Sequence, residues 1–161
     1  MNEVIKVGMA DLKICHSPAA ITTLGLGSCV GICLRDPMTK VGGLAHIMLP
    51  DSSAFRTIEK VAKFADTGID ELVRLLEQNG ASGRRLEAKI AGGAMMFAYN
   101  STSATMRVGE KNVEATLKKL KELGIPVLAQ DTGETFGRTI IYYPETGELK
   151  VRAVGKSEKT I

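Results

Sequence analysis

The first fifty residues contain strand patterns and no helical one, and this feature limits the possible folds more than any other. Apolar residues alternate with small or polar ones over 30–35, which is the period of a half-buried strand. A turn follows at 36–39, DPMT, because proline presets the second turn position. With a return strand over 41–49, we expect a β-hairpin at 28–49. A doubly wound sheet needs strict alternation of strands and helices, which this region lacks.

The middle of the chain carries helical patterns instead. Apolar residues at 69, 72, 73 and 76 fall on one helical face, and a second amphipathic helix is predicted over 113–124. Further strands are predicted at 4–7, 21–26, 86–91, 125–129, 138–143 and 149–154. Two or three helices with about seven strands, mostly joined by hairpins, predict an α/β (α+β) sandwich of mostly antiparallel or mixed sheets. We expect a single domain over 1–161.

Composition excludes several classes of protein. No run of 18 apolar residues exists, and the first twenty residues lack the apolar core of a signal peptide, so we expect a cytoplasmic protein without membrane insertion. The net charge is +3, but the basic residues are scattered. The chain has no tryptophan and only three tyrosines and four phenylalanines for base stacking, which argues against nucleic-acid binding.

The most informative segment surrounds Cys29, which is flanked by Gly25, Gly27 and Gly31. Glycines let a substrate approach the backbone closely. A turn through Gly27 and Ser28 can also aim successive N–H groups at one point, as an oxyanion hole requires. The spacing G-x-G-x-x-x-G followed by a strand pattern is not a dinucleotide-binding fingerprint.

A cysteine nucleophile needs a base, and the chain has two histidines, His16 and His46. A hairpin turn centred near 37.5 places His46 opposite Cys29. A neutral imidazole can take the thiol proton and then stabilise the thiolate. The alternatives are structural, because a cysteine in an apolar strand is usually a small core residue and a histidine between Ala45 and Ile47 is usually a satisfied core residue.

The cysteines and histidines do not form a metal-binding pattern. Cys29 and Cys33 on one strand lie about 13 Å apart, too far for one tetrahedral ion. Cys33 is expected in the core. Cys15 and His16 are adjacent, so on a strand they would point to opposite faces, which argues against them as a catalytic pair. We predict neither a metal nor a cofactor. Separately, the apolar run from Met95 to Phe97 predicts either core residues or an adaptable contact surface, so Phe97 is a candidate partner-binding residue.

Several segments together resemble the CheD family of chemoreceptor glutamine deamidases in order and spacing. They are TTLGLGSCVGICLRD, GGLAHIMLP, KFADTGIDELV, AKIAGGAMMF and VGEKN, and the resemblance extends over about residues 4–155. It implies a fold similar to that of bacterial toxin deamidases, with Cys29 as nucleophile, His46 as its histidine and Thr23 as the third member. Lys111 departs from the arginine of many relatives, and lysine cannot make the same bidentate contacts.

The resemblance also implies a substrate and a partner. The substrate would be glutamine side chains on the cytoplasmic domain of methyl-accepting chemoreceptors, converted to glutamate with release of ammonia. The partner would be the phosphatase CheC. Three alternatives stay open: a glutamyl methylesterase at the same receptor sites, a chain that acts mainly as a regulatory partner of CheC, and a cysteine peptidase. The first shares the thioester route, since only the leaving group differs.

Overall fold

A computed structural model describes residues 2–53, 55–96 and 107–161 of the chain. Within these residues the strands are β1 (Val4–Lys6), β2 (Asp11–His16), β3 (Ala20–Leu26), β4 (Val30–Asp36), β5 (Val41–Ile47), β6 (Glu87–Gly92), β7 (Val127–Thr132), β8 (Arg138–Tyr143), β9 (Glu148–Arg152) and β10 (Lys159–Thr160). The α-helices are α1 (Ala65–Gln78) and α2 (Val108–Glu122), and short 3₁₀ turns occur at Val61–Lys63 and Gly83–Arg85.

The strands form two mixed sheets of five strands each. One sheet has the order β1-β3-β8-β9-β10 and the other the order β2-β5-β4-β6-β7. The β1–β3 and β6–β7 pairs are parallel and the other pairs are antiparallel. The predicted α+β class with mixed sheets and two helices is therefore confirmed.

Strand β4 separates two apolar layers because its side chains alternate. Val30, Ile32 and Leu34 pack with residues of the two helices in one buried cluster. Cys29 and Cys33 belong to a second buried cluster that also contains residues of the other sheet, β3, β8 and β9. The space between the two sheets is therefore the layer into which Cys29 faces.

The β4–β5 hairpin is present, but its turn is longer than predicted. Asp36 pairs with Val41, so residues 37–40 form the loop. Lys40 adopts a φ of 59°, and its N–H donates to the Asp36 carbonyl over 2.8 Å. Since Asp36 pairs with residue 41 rather than 39, the hairpin centre lies at 38.5 rather than 37.5. The expected pairing of Cys29 with His46 is therefore wrong, and Gly31 is the residue opposite His46.

Other predicted elements are shifted or were missed. The helix predicted around residue 69 begins earlier, at Ala65, and includes Gly68, whose missing side chain lets the helix approach Ile47 of β5. The strand β2 was not predicted, because its residues are only partly buried at the edge of its sheet. The two-residue strand β10 was also missed. No helix in the described part of the chain is long and apolar enough to cross a membrane.

Candidate active site

The segment 27–29 forms a bend between β3 and β4, and each of its carbonyl groups accepts a hydrogen bond. The Gly27 and Cys29 carbonyls accept from the backbone N–H groups of Ala94 and Gly93, each over 2.9 Å. The Ser28 carbonyl accepts from the Asn112 side chain over 2.9 Å. Because the peptide plane is rigid, three fixed carbonyls also fix the directions of the following N–H groups. The role of this turn as an oxyanion hole stays a prediction.

His46 lies on β5 and is 1% exposed. Its Nδ1 is 2.7 Å from the Thr23 hydroxyl oxygen, across the gap between the two sheets. That hydroxyl donates its hydrogen to the Val7 carbonyl, 2.8 Å away. A hydroxyl has one hydrogen, so Thr23 must accept from His46, and the imidazole proton therefore lies on Nδ1. Nε2 then carries the lone pair that a general base needs.

Cys29 and His46 point into the same layer although they are not directly paired. Gly31 is opposite His46, and Cys29, two residues earlier, lies on the same side of the chain as Gly31. Residues related in this diagonal way are separated by about 7–8 Å. A side chain at 31 would collide with Ile140, because an added Cβ would lie 2.7 Å from its Cδ1. Glycine at this position therefore lets Ile140 and Leu26 of the facing sheet pack directly on β4 beside His46.

The two groups are uncharged at rest. Burial raises the pKa of the Cys29 thiol above its ordinary value, and the nearby N–H of the same residue opposes this rise. Burial also lowers the pKa of His46. Among residues 2–53, 55–96 and 107–161, His46 Nε2 has no hydrogen-bond partner. The arrangement is thus a thiol and a neutral imidazole that face the same layer rather than a preformed ion pair.

Known proteins share much of this sequence. The family model described as "CheD chemotactic sensory transduction" matches residues 48–153. The "Probable chemoreceptor glutamine deamidase CheD" of Lachnoclostridium phytofermentans is 60% identical over 161 residues, which is 100% of both chains. The "Chemoreceptor glutamine deamidase CheD" of Halalkalibacterium halodurans is 53% identical over 162 residues, again 100% of both chains.

The chain belongs to the CheD family. The resemblance noted in the sequence motifs is therefore confirmed. Among solved structures, the Bacillus licheniformis hypothetical protein YfiH superposes with a TM-score of 0.45 at 15% identity, over 72% of this chain and 47% of that one.

The remaining cysteines and His16 of this CheD chain occupy structural positions. Cys33 is 0% exposed, as expected for a core residue, and burial holds the pKa of its thiol far above its ordinary value. Cys15 is buried and His16 is exposed, on opposite faces of β2 as expected. Within the described residues, no group of three or more His, Cys, Asp or Glu side chains could hold a metal ion. Phe97 lies outside the described residues.

Sequence reasoning missed one residue of this site, Asn112. The segment 108–112 was expected to precede a helix, but it is the first part of α2. Asn112 lies on the buried face of that helix with Thr116 and Leu120, at a spacing of four residues. An asparagine in line with buried positions could have been noticed from the helical period, because a buried amide requires partners. Its partners, in distant loops, could not have been identified that way.

Proposed function

We propose that this protein deamidates glutamine side chains of chemoreceptors to glutamate, with Cys29 as nucleophile and His46 as general base. Its relatives that match over their whole length are named for this activity. The structural observation that carries the proposal is the Thr23–His46 hydrogen bond, which leaves Nε2 free in the layer that Cys29 faces. Most buried side-chain nitrogens have a hydrogen-bond partner, so Nε2, which has none within the described residues, is an exception that a role as base explains.

The first step forms a thioester. His46 Nε2 takes the proton of Cys29 as Sγ attacks the carboxamide carbon, and the carbonyl electron pair moves to oxygen. The imidazolium then gives its proton to the amide nitrogen, because an amide anion cannot leave at neutral pH. The C–N bond breaks and ammonia departs.

The second step restores the enzyme. His46 takes a proton from water while the oxygen attacks the thioester carbon, and the C–S bond breaks as the sulfur recovers a proton. One water is consumed and one ammonia is released for each glutamate formed. Sγ and Nε2 make no hydrogen bond in the described structure, so the proposal requires them to approach each other when substrate binds, as catalytic contacts often do.

Gly27 and Ser28 belong to the turn that would stabilise the oxyanion. The Cys29 N–H, which follows the fixed Ser28 carbonyl, lies near its own sulfur and so near the reacting carbon. The side chain of Met96 lies against Gly27, because an added Cβ there would be 3.4 Å from the Met96 Cγ. Met96 is therefore in ordinary van der Waals contact with the bend at Gly27.

The test is to incubate the protein with the cytoplasmic fragment of a chemoreceptor from the same genome and to map each glutamine by mass spectrometry. The wild-type protein should convert particular glutamines to glutamate, with a small gain in mass and release of ammonia. Cys29→Ala should be inactive, while Cys33→Ala, which alters a thiol of the same buried cluster, should stay active. Conversion by Cys29→Ala at the wild-type rate would contradict the proposal.

The same experiment separates deamidation from ester hydrolysis. A fragment whose glutamates carry methyl esters would lose mass if the protein were a methylesterase, whereas amide hydrolysis raises the mass. Loss of methyl groups without any change at glutamine would assign the Cys29 chemistry to esters.

From the family resemblance we also propose that the phosphatase CheC binds this chain. The expected result is co-elution of the two purified proteins, with a CheC-dependent change in the rate of glutamine conversion. Cys29→Ala should still bind CheC, since removal of one buried sulfur atom leaves the surface unchanged. Separate elution of the two proteins at micromolar concentration would contradict this part of the proposal.

A further inference from the structure

Asn112 is fully buried on α2, and its amide nitrogen joins two segments that carry the candidate reacting groups. Nδ2 donates to the Ser28 carbonyl and to the Met48 carbonyl, each over 2.9 Å. Ser28 precedes Cys29 directly, and Met48 follows His46 by two residues. Both hydrogens of the amide are therefore used, one toward each segment.

This contact lies where the backbone ladder stops. The last residue pair between β4 and β5 is Val30 with Ile47, so the next two residues, Cys29 and Met48, have no ladder pairing. The Asn112 amide joins the strands just beyond this point. Its orientation is also determined, because a side-chain oxygen facing two carbonyl oxygens would be repelled.

Helix α2 can bring Asn112 this close because of a glycine in its first turn. An added Cβ at Gly109 would lie 2.4 Å from the Ala94 carbonyl oxygen, so any side chain there would push the helix away. The same loop, through Gly93 and Ala94, binds the carbonyls of Cys29 and Gly27. Of the three carbonyls in the bend, only that of Ser28 is held by a side chain and can be released by one substitution.

We propose that Asn112 is a positioning residue that aims the Cys29 N–H at the oxyanion of the reaction. In a planar trans peptide the carbonyl and the following N–H point in opposite directions. Holding the Ser28 carbonyl toward α2 therefore turns the Cys29 N–H away from α2 and toward the inter-sheet layer that contains its sulfur. This inference rests on the proposed function for its chemistry, but its geometric part can be tested separately.

The experiment compares Asn112→Asp with Thr116→Val. The first variant keeps the shape and replaces the donor by an oxygen that repels both carbonyls. The second alters a buried residue one helical turn away, whose hydroxyl has no hydrogen-bond partner within the described residues. Glutamine conversion on the receptor fragment is measured as kcat and KM, and alkylation of Cys29 by iodoacetamide is followed by mass spectrometry. Alkylation displaces iodide from a tetrahedral carbon, so it forms no oxyanion.

For Asn112→Asp we expect kcat to fall by about 10²-fold, the usual effect of losing one oxyanion donor, with KM close to wild type. The alkylation rate should fall much less than kcat, because the Cys29 N–H only lowers the pKa of the thiol in that reaction. Thr116→Val should match wild type in all three measurements. A kcat near wild type in Asn112→Asp would overturn the proposal, and so would equal losses in kcat and alkylation, which indicate general disorder. Should Asn112→Asp fail to fold, Asn112→Ser removes the bridge without adding charge. This variant is also expected to lose much more kcat than alkylation rate.

The crystal structures of wild type and the soluble Asn112 variant keep the inference separate from the proposed function. Rotation of the Ser28–Cys29 peptide in the variant supports the inference about Asn112. An unchanged peptide overturns that inference, whether or not receptor glutamines are converted. A wild-type protein that leaves every receptor glutamine intact contradicts the proposed function alone.

Discussion

The two ends of the β4–β5 hairpin bury polar groups in opposite ways. At the turn, the Asp36 carboxylate is completely buried and accepts from the Met38 N–H, the Ser82 N–H and the Arg85 guanidinium over 2.8–3.1 Å. At the other end, His46 is equally buried, but its Nε2 has no partner within the described residues. The same two strands therefore carry one fully satisfied charge and one unsatisfied neutral base.

The difference shows that hydrogen-bond partners, rather than burial, decide which form of a buried group is stable. The donors around Asp36 hold its pKa far below the usual carboxyl range, so its charge persists. In the part of the chain that the structure describes, no acidic group bonds to His46 Nε2, and burial lowers the pKa of this imidazole. The end of the hairpin at the turn therefore stabilises a charged carboxylate, and the opposite end stabilises a neutral imidazole that can accept a proton.

The largest effect is expected for His46→Ala, which should reduce glutamine conversion by about 10⁴-fold or more, as loss of a catalytic base does in other nucleophilic enzymes. The measurement is ammonia release under saturating receptor fragment. His16→Ala is the matched control, since that imidazole is exposed on β2, and it should retain wild-type activity. Equal activity of the two variants would mean that His46 is not the catalytic base.

Thr23→Val should reduce kcat by about 10²-fold, because the ring loses the partner that fixes its proton on Nδ1. Nitrogen NMR of labelled histidine should show a mixture of tautomers in the variant and a single one in wild type. Thr22→Val is the control, since its hydroxyl donates to the Ile140 carbonyl and not to the imidazole. A variant at 23 with wild-type kcat would contradict the assigned tautomer.

Asp36→Asn should cost about 2 kcal/mol of unfolding free energy, because an amide cannot accept from all these donors, and should leave kcat unchanged. Urea denaturation and kcat on the same sample measure both effects. The pKa of Asp36 is lowered from 3.8, so its stabilisation is complete above about pH 4 and is lost as the pH falls further. Unfolding curves of wild type and variant should therefore converge in acid, and a constant gap down to low pH would contradict this account.

The smallest effect is the pH dependence of kcat/KM near neutrality. The active form needs unprotonated His46, whose pKa lies below 6.5, and a protonated thiol, whose pKa lies above 9.0. The rate should rise with pH below 6.5, stay flat through neutral pH and fall only above 9.0. A thiolate–imidazolium pair would give a different dependence of kcat/KM on pH, because the rise at low pH would then follow a lowered thiol pKa. Asp11, opposite His46 on β2, is the neighbouring carboxylate to replace as a control.

The hairpin could be predicted from sequence, but its register could not. Alternation identifies both strands, and DPMT identifies the turn. Whether Lys40 joins the strand or the loop depends on its positive φ, which no residue preference for lysine would suggest. Two more residues in the loop displace the partner of His46 by two positions, so local sequence patterns find the elements more reliably than the contacts between them.

The candidate site likewise contains residues that the sequence identifies and residues that depend on unpredicted contacts. Cys29 and His46 could be found from residue type and spacing, since few side chains can act as nucleophile or base. Thr23 came only from the family resemblance, because its contact with His46 crosses from one sheet to the other. Asn112 was missed altogether, because its two partners lie 84 and 64 residues away along the chain.

The hydroxyl of Thr23 gives its one hydrogen to Val7, in the segment between β1 and β2. If that carbonyl moved away, the hydroxyl could rotate and donate to the imidazole instead, and the ring proton would then belong on the other nitrogen. Trimming or rearranging the chain before residue 8 would therefore place the proton on Nε2, so that His46 could no longer act as a base although no reacting residue had changed. A loss of turnover in such a shortened protein, with sheets and thiol intact, would reflect the misplacement of a single hydrogen atom.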